Sequence, residues 1–472
     1  MQVIFLLMHV ANRRRGLENQ NVETALISDL EVLTLGSTEG YTTRNPRTTR
    51  DPTMYLEAME GDEAQKWKNA THAKWGSVLE NNTFQTFNEL DTASYLDQRS
   101  KLEGSHPTPL QAPVGVKTIS SKWVYKKINP DGTIRYKVRL VIRGFEQTAG
   151  MHMGETYAPV SKLTTFRLLM SLAARHGWKV DHMGVATAFL NPKVDCDAIY
   201  MTLPLGMEWV DPGLHNAGVW IVRLRKALYG LHQAPKLWFD TINNFLIELG
   251  FKASSADCNL FIKGSVILLL YVDDIIIIDS DKEGIRGTEV KDLLSTKYKM
   301  TSLGIARRFL GINIEINERG ISLYQGRYID AILQRFRMEA AHDAKSPMDP
   351  NICLDNTNCK DKTANKDLYL SIVGSLIYAA LATRPNISFC VTTLSRYNHA
   401  PLQMHLTAAK RVLRYLKHTC SLQLHYSRES AGSLMGFTDS DWVGRIADRK
   451  SVGGCIFFGS CDKEGSPSGP IL

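Results

Sequence analysis

The run Leu268-Leu269-Leu270-Tyr271-Val272-Asp273-Asp274-Ile275-Ile276-Ile277-Ile278 constrains this chain more than any other, because it sets two adjacent carboxylates between two apolar stretches that each read as a buried strand. Side chains alternate across a strand, so neighbouring acids on a regular strand point to opposite faces. Both acids can serve one site only where the chain turns back on itself, and a tight hairpin at this pair is the expectation. Clustered carboxylates are hard oxygen ligands suited to Mg2+, and without a cation each raises the other's pKa. Taken alone, an Asp-Asp pair also describes a surface turn.

A chain of 472 residues with 44% hydrophobic content is long enough for two or three packed cores. Lys plus Arg outnumber Asp plus Glu by 56 to 48, an excess of eight that suits an anionic partner and equally a solvated surface. The closest cysteine pairs, Cys353 with Cys359 and Cys455 with Cys461, have five intervening residues, wider than the two to four of zinc knuckles, so reduced intracellular thiols are expected. Met1 to Val10 is apolar but too short for a bilayer, and the Arg13 to Arg15 cluster follows it where a signal peptide would have it first. Val266 to Ile278 is interrupted by the two aspartates, so no membrane span is expected.

Residues 1–60 read as a polar tail or linker and 61–115 as a junction holding a helix over Ala64 to Leu79, a strand-like Thr83 to Phe87 and a proline-bearing loop, Gln98 to Val114. Lys122 to Arg143 reads as a hairpin about the turn Asn129-Pro130-Asp131-Gly132. In its second strand Arg135, Lys137, Arg139 and Arg143 share one parity and Tyr136, Val138, Leu140 and Ile142 the other, which gives a cationic face and a packed face. Helical patterns follow at Thr165 to His176, Pro235 to Leu249, Gly287 to Tyr298 and Arg327 to Arg337, with strands between them, an α+β order. Leu368 to His418 is helix-rich and carries a basic stripe, Lys410, Arg414 and Lys417, of the kind that usually faces solvent.

Tyr271-Val272-Asp273-Asp274 resembles the polymerase motif of reverse transcriptases, and further stretches in order resemble copia-type retrotransposon reverse transcriptases. They include Lys122-Trp123-Val124-Tyr125-Lys126, Arg139 to Phe145, Tyr157-Ala158-Pro159-Val160, Ala188-Phe189-Leu190-Asn191, Ala227 to Pro235, Phe309-Leu310-Gly311 and Val373 to Tyr378. The resemblance spans about residues 52 to 458. It implies a right-hand polymerase fold of fingers, palm and thumb over 116–345, a helical connection over 346–430 and an RNase H-like fragment, read as truncated, over 431–472. It implies an RNA-directed DNA polymerase that extends a primer on an RNA or DNA template with deoxynucleoside triphosphates, in cytoplasmic particles. Two Mg2+ ions would activate the primer 3′-hydroxyl and stabilise the leaving pyrophosphate.

Within that resemblance Asp273 and Asp274 match the catalytic, metal-binding pair. Lys137, Arg139 and Arg143 belong to the fingers that neutralise the incoming triphosphate. Phe189 matches the residue that excludes a ribose 2′-hydroxyl, though core filling explains an aromatic there as well, and Gln233 falls in a motif lining the nucleotide pocket, with His232 and Lys236 departing from the usual Lys and Arg. Phe309, Leu310 and Gly311 look like the primer grip. One departure is larger: the first palm motif of the family begins with an aspartate, and here Gly184 opens Gly184-Val185-Ala186-Thr187-Ala188-Phe189-Leu190. Two divalent ions need shared anionic ligands, so weakened Mg2+ binding and impaired polymerisation are expected. Asp181 is three residues away, on the opposite face of a strand, and is not expected to substitute. Asp439, in Gly436 to Trp442, resembles the first ligand of an RNase H domain whose later ligands have no counterpart, so no RNase H activity is expected. The alternative to a polymerase is a non-enzymatic nucleic-acid-binding remnant of a transposable element.

Overall fold

The computed structural model describes residues 51–52, 55–85, 117–128, 134–148, 155–194, 199–207, 221–281, 284–349, 351–352, 354, 362–429, 435–440 and 453–458. Of the tail expected over 1–60, residues 1–50, 53 and 54 lie outside these residues, as do the proline-bearing loop and the Asn129 to Gly132 turn.

Helix α1 (Tyr55–Glu60) precedes α2 (Ala64–Glu80) and the short strand β1 (Phe84–Gln85). The apolar spacing of α2 puts Trp67, Thr71, Trp75 and Val78 on one buried stripe. That stripe packs on an antiparallel hairpin, β2 (Ser121–Ile128) with β3 (Arg135–Ile142), where Trp67 meets the rings of Tyr125 and Tyr136 edge-on at 5.4 and 4.7 Å. The expected alternation holds in β3: Val138, Leu140 and Ile142 are buried, whereas Arg135, Lys137 and Arg139 keep exposed surface.

Next come α3 (Leu163–His176), β4 (Lys179–Val185), β5 (Tyr200–Thr202), β6 (Ile221–Leu224), α4 (Ala234–Glu248), β7 (Lys252–Ala253), β8 (Leu260–Lys263), β9 (Val266–Tyr271), β10 (Asp274–Asp279), α5 (Ile285–Lys297) and β11 (Met300–Ile305). Strands β1, β6 and β5 form a small sheet, and six others form a larger antiparallel one in the order β11-β4-β10-β9-β8-β7. The unbroken apolar runs of β9 and β10 are explained by burial of this sheet on both sides. One face packs Met183, Leu270 and Ile275 against Trp238 of α4 and Leu294 of α5, and the other packs Val180, Leu269 and Ile276 against Phe166 and Met170 of α3.

A third sheet, β12 (Arg308–Phe309), β13 (Ile312–Asn317), β14 (Gly320–Tyr324) and β15 (Leu424–Ser427), is covered by α6 (Gly326–Arg335), α7 (Lys366–Ala382), α8 (Ser388–Ser395) and α9 (Gln403–His418). Helix ends fall within two residues of the sequence expectation. In α9, Leu406, Leu413 and Leu416 are buried. Two residues of the opposing basic stripe are tied down: Arg414 donates to the His342 carbonyl at 2.7 Å, and Lys417 to that of Ala341 at 2.7 Å. They strap the loop before α7 onto the helix. Strands β16 (Met435–Ser440) and β17 (Gly453–Phe458) pair as an exposed two-stranded ribbon. Among the described residues no helix is long and apolar enough to cross a membrane.

Candidate functional site

The two carboxylates sit at the turn their sequence required. Tyr271 pairs with Asp274, leaving Val272 and Asp273 as the two residues of the β9–β10 hairpin loop. Val272 has φ +54°, a left-handed conformation that suits the twist of a two-residue hairpin but strains a β-branched residue. Trp238 of α4 braces it, its indole N–H donating to the Val272 carbonyl at 2.6 Å. Spacing marks Trp238 as core, on one stripe with Ile242 and Leu246; nothing in the sequence marks it as the support of the turn.

Asp274 is fully buried. Its Oδ1 lies 3.0 Å from His182 Nε2, while its Oδ2 is buried with no hydrogen-bond partner. His182 lies on β4, where Gly184 is the direct partner of Asp274. The Val185 N–H donates to the Asp273 carbonyl at 2.7 Å, which makes Gly184 and Asp274 a non-hydrogen-bonded pair, the type whose side-chain positions approach most closely. A Cβ added at Gly184 would meet nothing within 4 Å. The side-chain position of Gly184 is therefore open space beside Asp274. Asp181 faces the other way and is ion-paired to Lys291 at 2.8 Å and Lys179 at 3.8 Å, so it does not reach the site.

Asp273 keeps part of its surface exposed. Burial and then the charge of Asp274 push its carboxyl up to about 7, against the pull of a backbone hydrogen bond and of Lys137 and Arg139. Those two cations of β3 thus bear on Asp273. Arg143 lies past the end of β3, 4.0 Å from Glu146. The β3 end is docked by the Ile142 N–H donating to the Tyr229 carbonyl at 2.9 Å. Gly230 makes this possible: its φ is +94°, and a Cβ there would come within 2.1 Å of the Ile142 carbonyl.

Phe189, on a 3-10 turn over Ala188–Leu190, is partly buried and meets Tyr229 edge-on at 5.1 Å. Burial and the charge of Asp273 push Tyr229 up to about 12. Gln233 is wholly buried, its Oε1 accepting from Gln147 at 2.9 Å. Phe309, Leu310 and Gly311 form the β12–β13 turn, with Leu310 at φ +50° and Gly311 at +75°. Phe309 is buried beneath the site, 6.0 Å from His182 and 6.2 Å from Tyr271 between ring centroids, and the Tyr378 hydroxyl of α7 donates to the Leu310 carbonyl. Asp439 lies on exposed β16, opposite Gly454.

The donor set can be tested against a divalent cation. An orphaned, buried carboxylate oxygen beside a second carboxylate of raised pKa fits one hard cation completed by substrate oxygens. It does not fit two ions, which need a further bridging carboxylate, and among the described residues no group of three or more His, Cys, Asp or Glu is arranged to hold a metal.

Residues 108–350 match the family model described as reverse transcriptase (RNA-dependent DNA polymerase). The chain is 34% identical over 417 residues to the retrovirus-related Pol polyprotein from transposon RE1 of Arabidopsis thaliana, covering 86% of this chain and 26% of that protein. It is 37% identical over 363 residues to the Pol polyprotein from transposon TNT 1-94 of Nicotiana tabacum, covering 74% and 27% respectively. A transposon Ty5-1 protein of Saccharomyces cerevisiae is 34% identical over 287 residues, 58% of this chain and 88% of that protein. The chain thus spans about a quarter of the length of the plant polyproteins.

Proposed function

This chain belongs to the copia-type reverse transcriptase family of transposon Pol polyproteins, and from that premise we propose that it binds a primer–template duplex and a deoxynucleoside triphosphate but transfers nucleotides poorly, for want of a carboxylate at Gly184. The reading divides the chain into fingers, palm and thumb over 116–345, a connection over 346–430 and an RNase H-like segment from 431. The observation that carries it is the open space at the Gly184 Cβ, directly across from Asp274.

Asp273 and Asp274 would hold one Mg2+ together with phosphate oxygens of the substrate. That ion supplies charge neutralisation of the triphosphate and its leaving group. Lys137 and Arg139, whose charges act on Asp273, would neutralise phosphate oxygens by charge-assisted hydrogen bonds. Phe189 on Tyr229 would form a flat wall against the sugar. His182 holds Asp274 Oδ1 and so fixes that carboxylate's orientation. Among the described residues, no group of three or more His, Cys, Asp or Glu is arranged to hold a metal, so they do not fit the family's two-ion arrangement.

Equilibrium binding separates substrate capture from chemistry. A labelled primer–template should bind with strong salt dependence, and the next matching deoxynucleotide should tighten it without rapid extension. A duplex affinity unchanged by the matching nucleotide would favour the non-enzymatic remnant. Rapid extension would remove the claim of impairment.

A further inference from the structure

Helix α2 lies outside the family-matched residues 108–350, yet it sets a charge over the ring of Tyr229. Lys74 follows Thr71 by three residues and precedes Val78 by four, so it falls on the inward stripe of α2, where an ammonium is costly. Its Nζ lies 5.3 Å from the centroid of the Tyr229 ring, the ring against which Phe189 packs. Burial, followed by the charges of Arg139 and Lys137, lowers the Lys74 ammonium to about 8. Arg139 acts on Lys74, on Tyr229 and on Asp273. Lys74 from α2 thus lies over the Tyr229 ring, and two cations of β3, Arg139 and Lys137, act on it.

Such clustering of like charge is unfavourable in the free protein, and a polyanion bound to the three cations would relieve it. A cation–π contact alone explains the position of Lys74 over the ring. It does not explain why the ring chosen is the one shared with Phe189 and Asp273. We propose that Lys74 is a third cation of the triphosphate subsite, contributed by the helix ahead of the polymerase region, and that it binds the phosphate oxygens of the incoming nucleotide alongside Lys137 and Arg139. This rests on the nucleotide-pocket reading above. A triphosphate carries enough charge to engage three cations, whereas a phosphodiester of the template presents one charge per residue.

The test is binding of dTTP and of thymidine, each with Mg2+, to the full chain and to Lys74→Ala, Lys74→Arg, Lys137→Ala and Arg139→Ala, with near-ultraviolet circular dichroism as the check on folding. Lys74→Ala should weaken dTTP about 10-fold or more and leave thymidine unchanged, and Lys74→Arg should restore dTTP binding to within about 3-fold. If Lys74→Ala matches wild type while Lys137→Ala and Arg139→Ala weaken dTTP, the pocket reading stands and the role of Lys74 is overturned. If Lys74→Ala instead weakens only a single-stranded template, Lys74 contacts template and the proposal is wrong. If none of the three alanine variants matters, or wild type binds no dTTP, the pocket reading fails and the role of Lys74 with it. Should Lys74→Ala not fold, failure of the folded Lys74→Arg to bind dTTP better than thymidine overturns the proposal.

Discussion

Gly184 and Asp274 are direct cross-strand partners on adjacent central strands, and their side-chain positions share one face of the sheet. Asp274 occupies its half of that pair with a buried carboxylate held by His182; Gly184 leaves its half open. The Asp274 carboxylate therefore faces open space on its β4 side.

Gly184 has no strained backbone that requires glycine, and its Cβ would meet nothing. Glycine within a strand costs about 0.5–1 kcal/mol relative to alanine. Gly184→Ala should therefore raise stability by up to about 1 kcal/mol in urea melts. A loss of stability would mean that the space is not open.

Gly230 is the opposite case. Its positive φ and the 2.1 Å approach to the Ile142 carbonyl leave no room for a methyl group. Gly230→Ala should cost about 1–3 kcal/mol or more and loosen β3 from the Tyr229 segment, read as faster amide exchange at Ile142.

Asp273 carries a folded pKa of about 7, above its ordinary 3.8. Between those values the folded state binds more protons than the unfolded, so this group's contribution to stability falls as pH rises and its penalty is complete above 7. Asp273→Asn should raise the metal-free melting temperature at pH 8, by an amount that shrinks as pH falls toward 4.

Lys74 shows the converse sign. Its folded pKa of about 8 lies below the ordinary 10.5, so its penalty is complete below 8 and is relieved as pH rises through that window. Lys74→Met should melt higher than wild type at pH 7, and the gap should close toward pH 10.

His182 is the partner of Asp274 Oδ1, whose other oxygen already lacks one. His182→Ala leaves both oxygens unpartnered and should cost about 1–3 kcal/mol in a metal-free urea melt, with His182→Gln recovering part of the loss.

Much of this was legible in the sequence. Apolar runs on both sides of Asp273 and Asp274 demanded a hairpin, and the parity of Arg135 to Ile142 gave β3 its two faces. What stayed hidden depends on register and packing between distant segments. His182 meets Asp274 across 92 residues of sequence, and only the β4–β10 pairing brings them together. Trp238 and Lys74 lie in helical segments whose sequence does not mark the partners they meet. Gln233 and Phe309 drew attention through their motifs, but both are wholly buried, and burial of a single polar or aromatic side chain has no local sequence signal.

On the proposed reading, the carboxylate absent at Gly184 limits the chemistry. Primer extension with Mg2+ by wild type beside Gly184→Asp measures this, with duplex binding followed in parallel to show that both proteins capture substrate. Gly184→Asp should extend more than about 100-fold faster at similar duplex affinity, since a direct metal ligand should count for more than the groups that merely orient one. Extension by wild type at the rate of Gly184→Asp would show that Gly184 does not limit the chemistry.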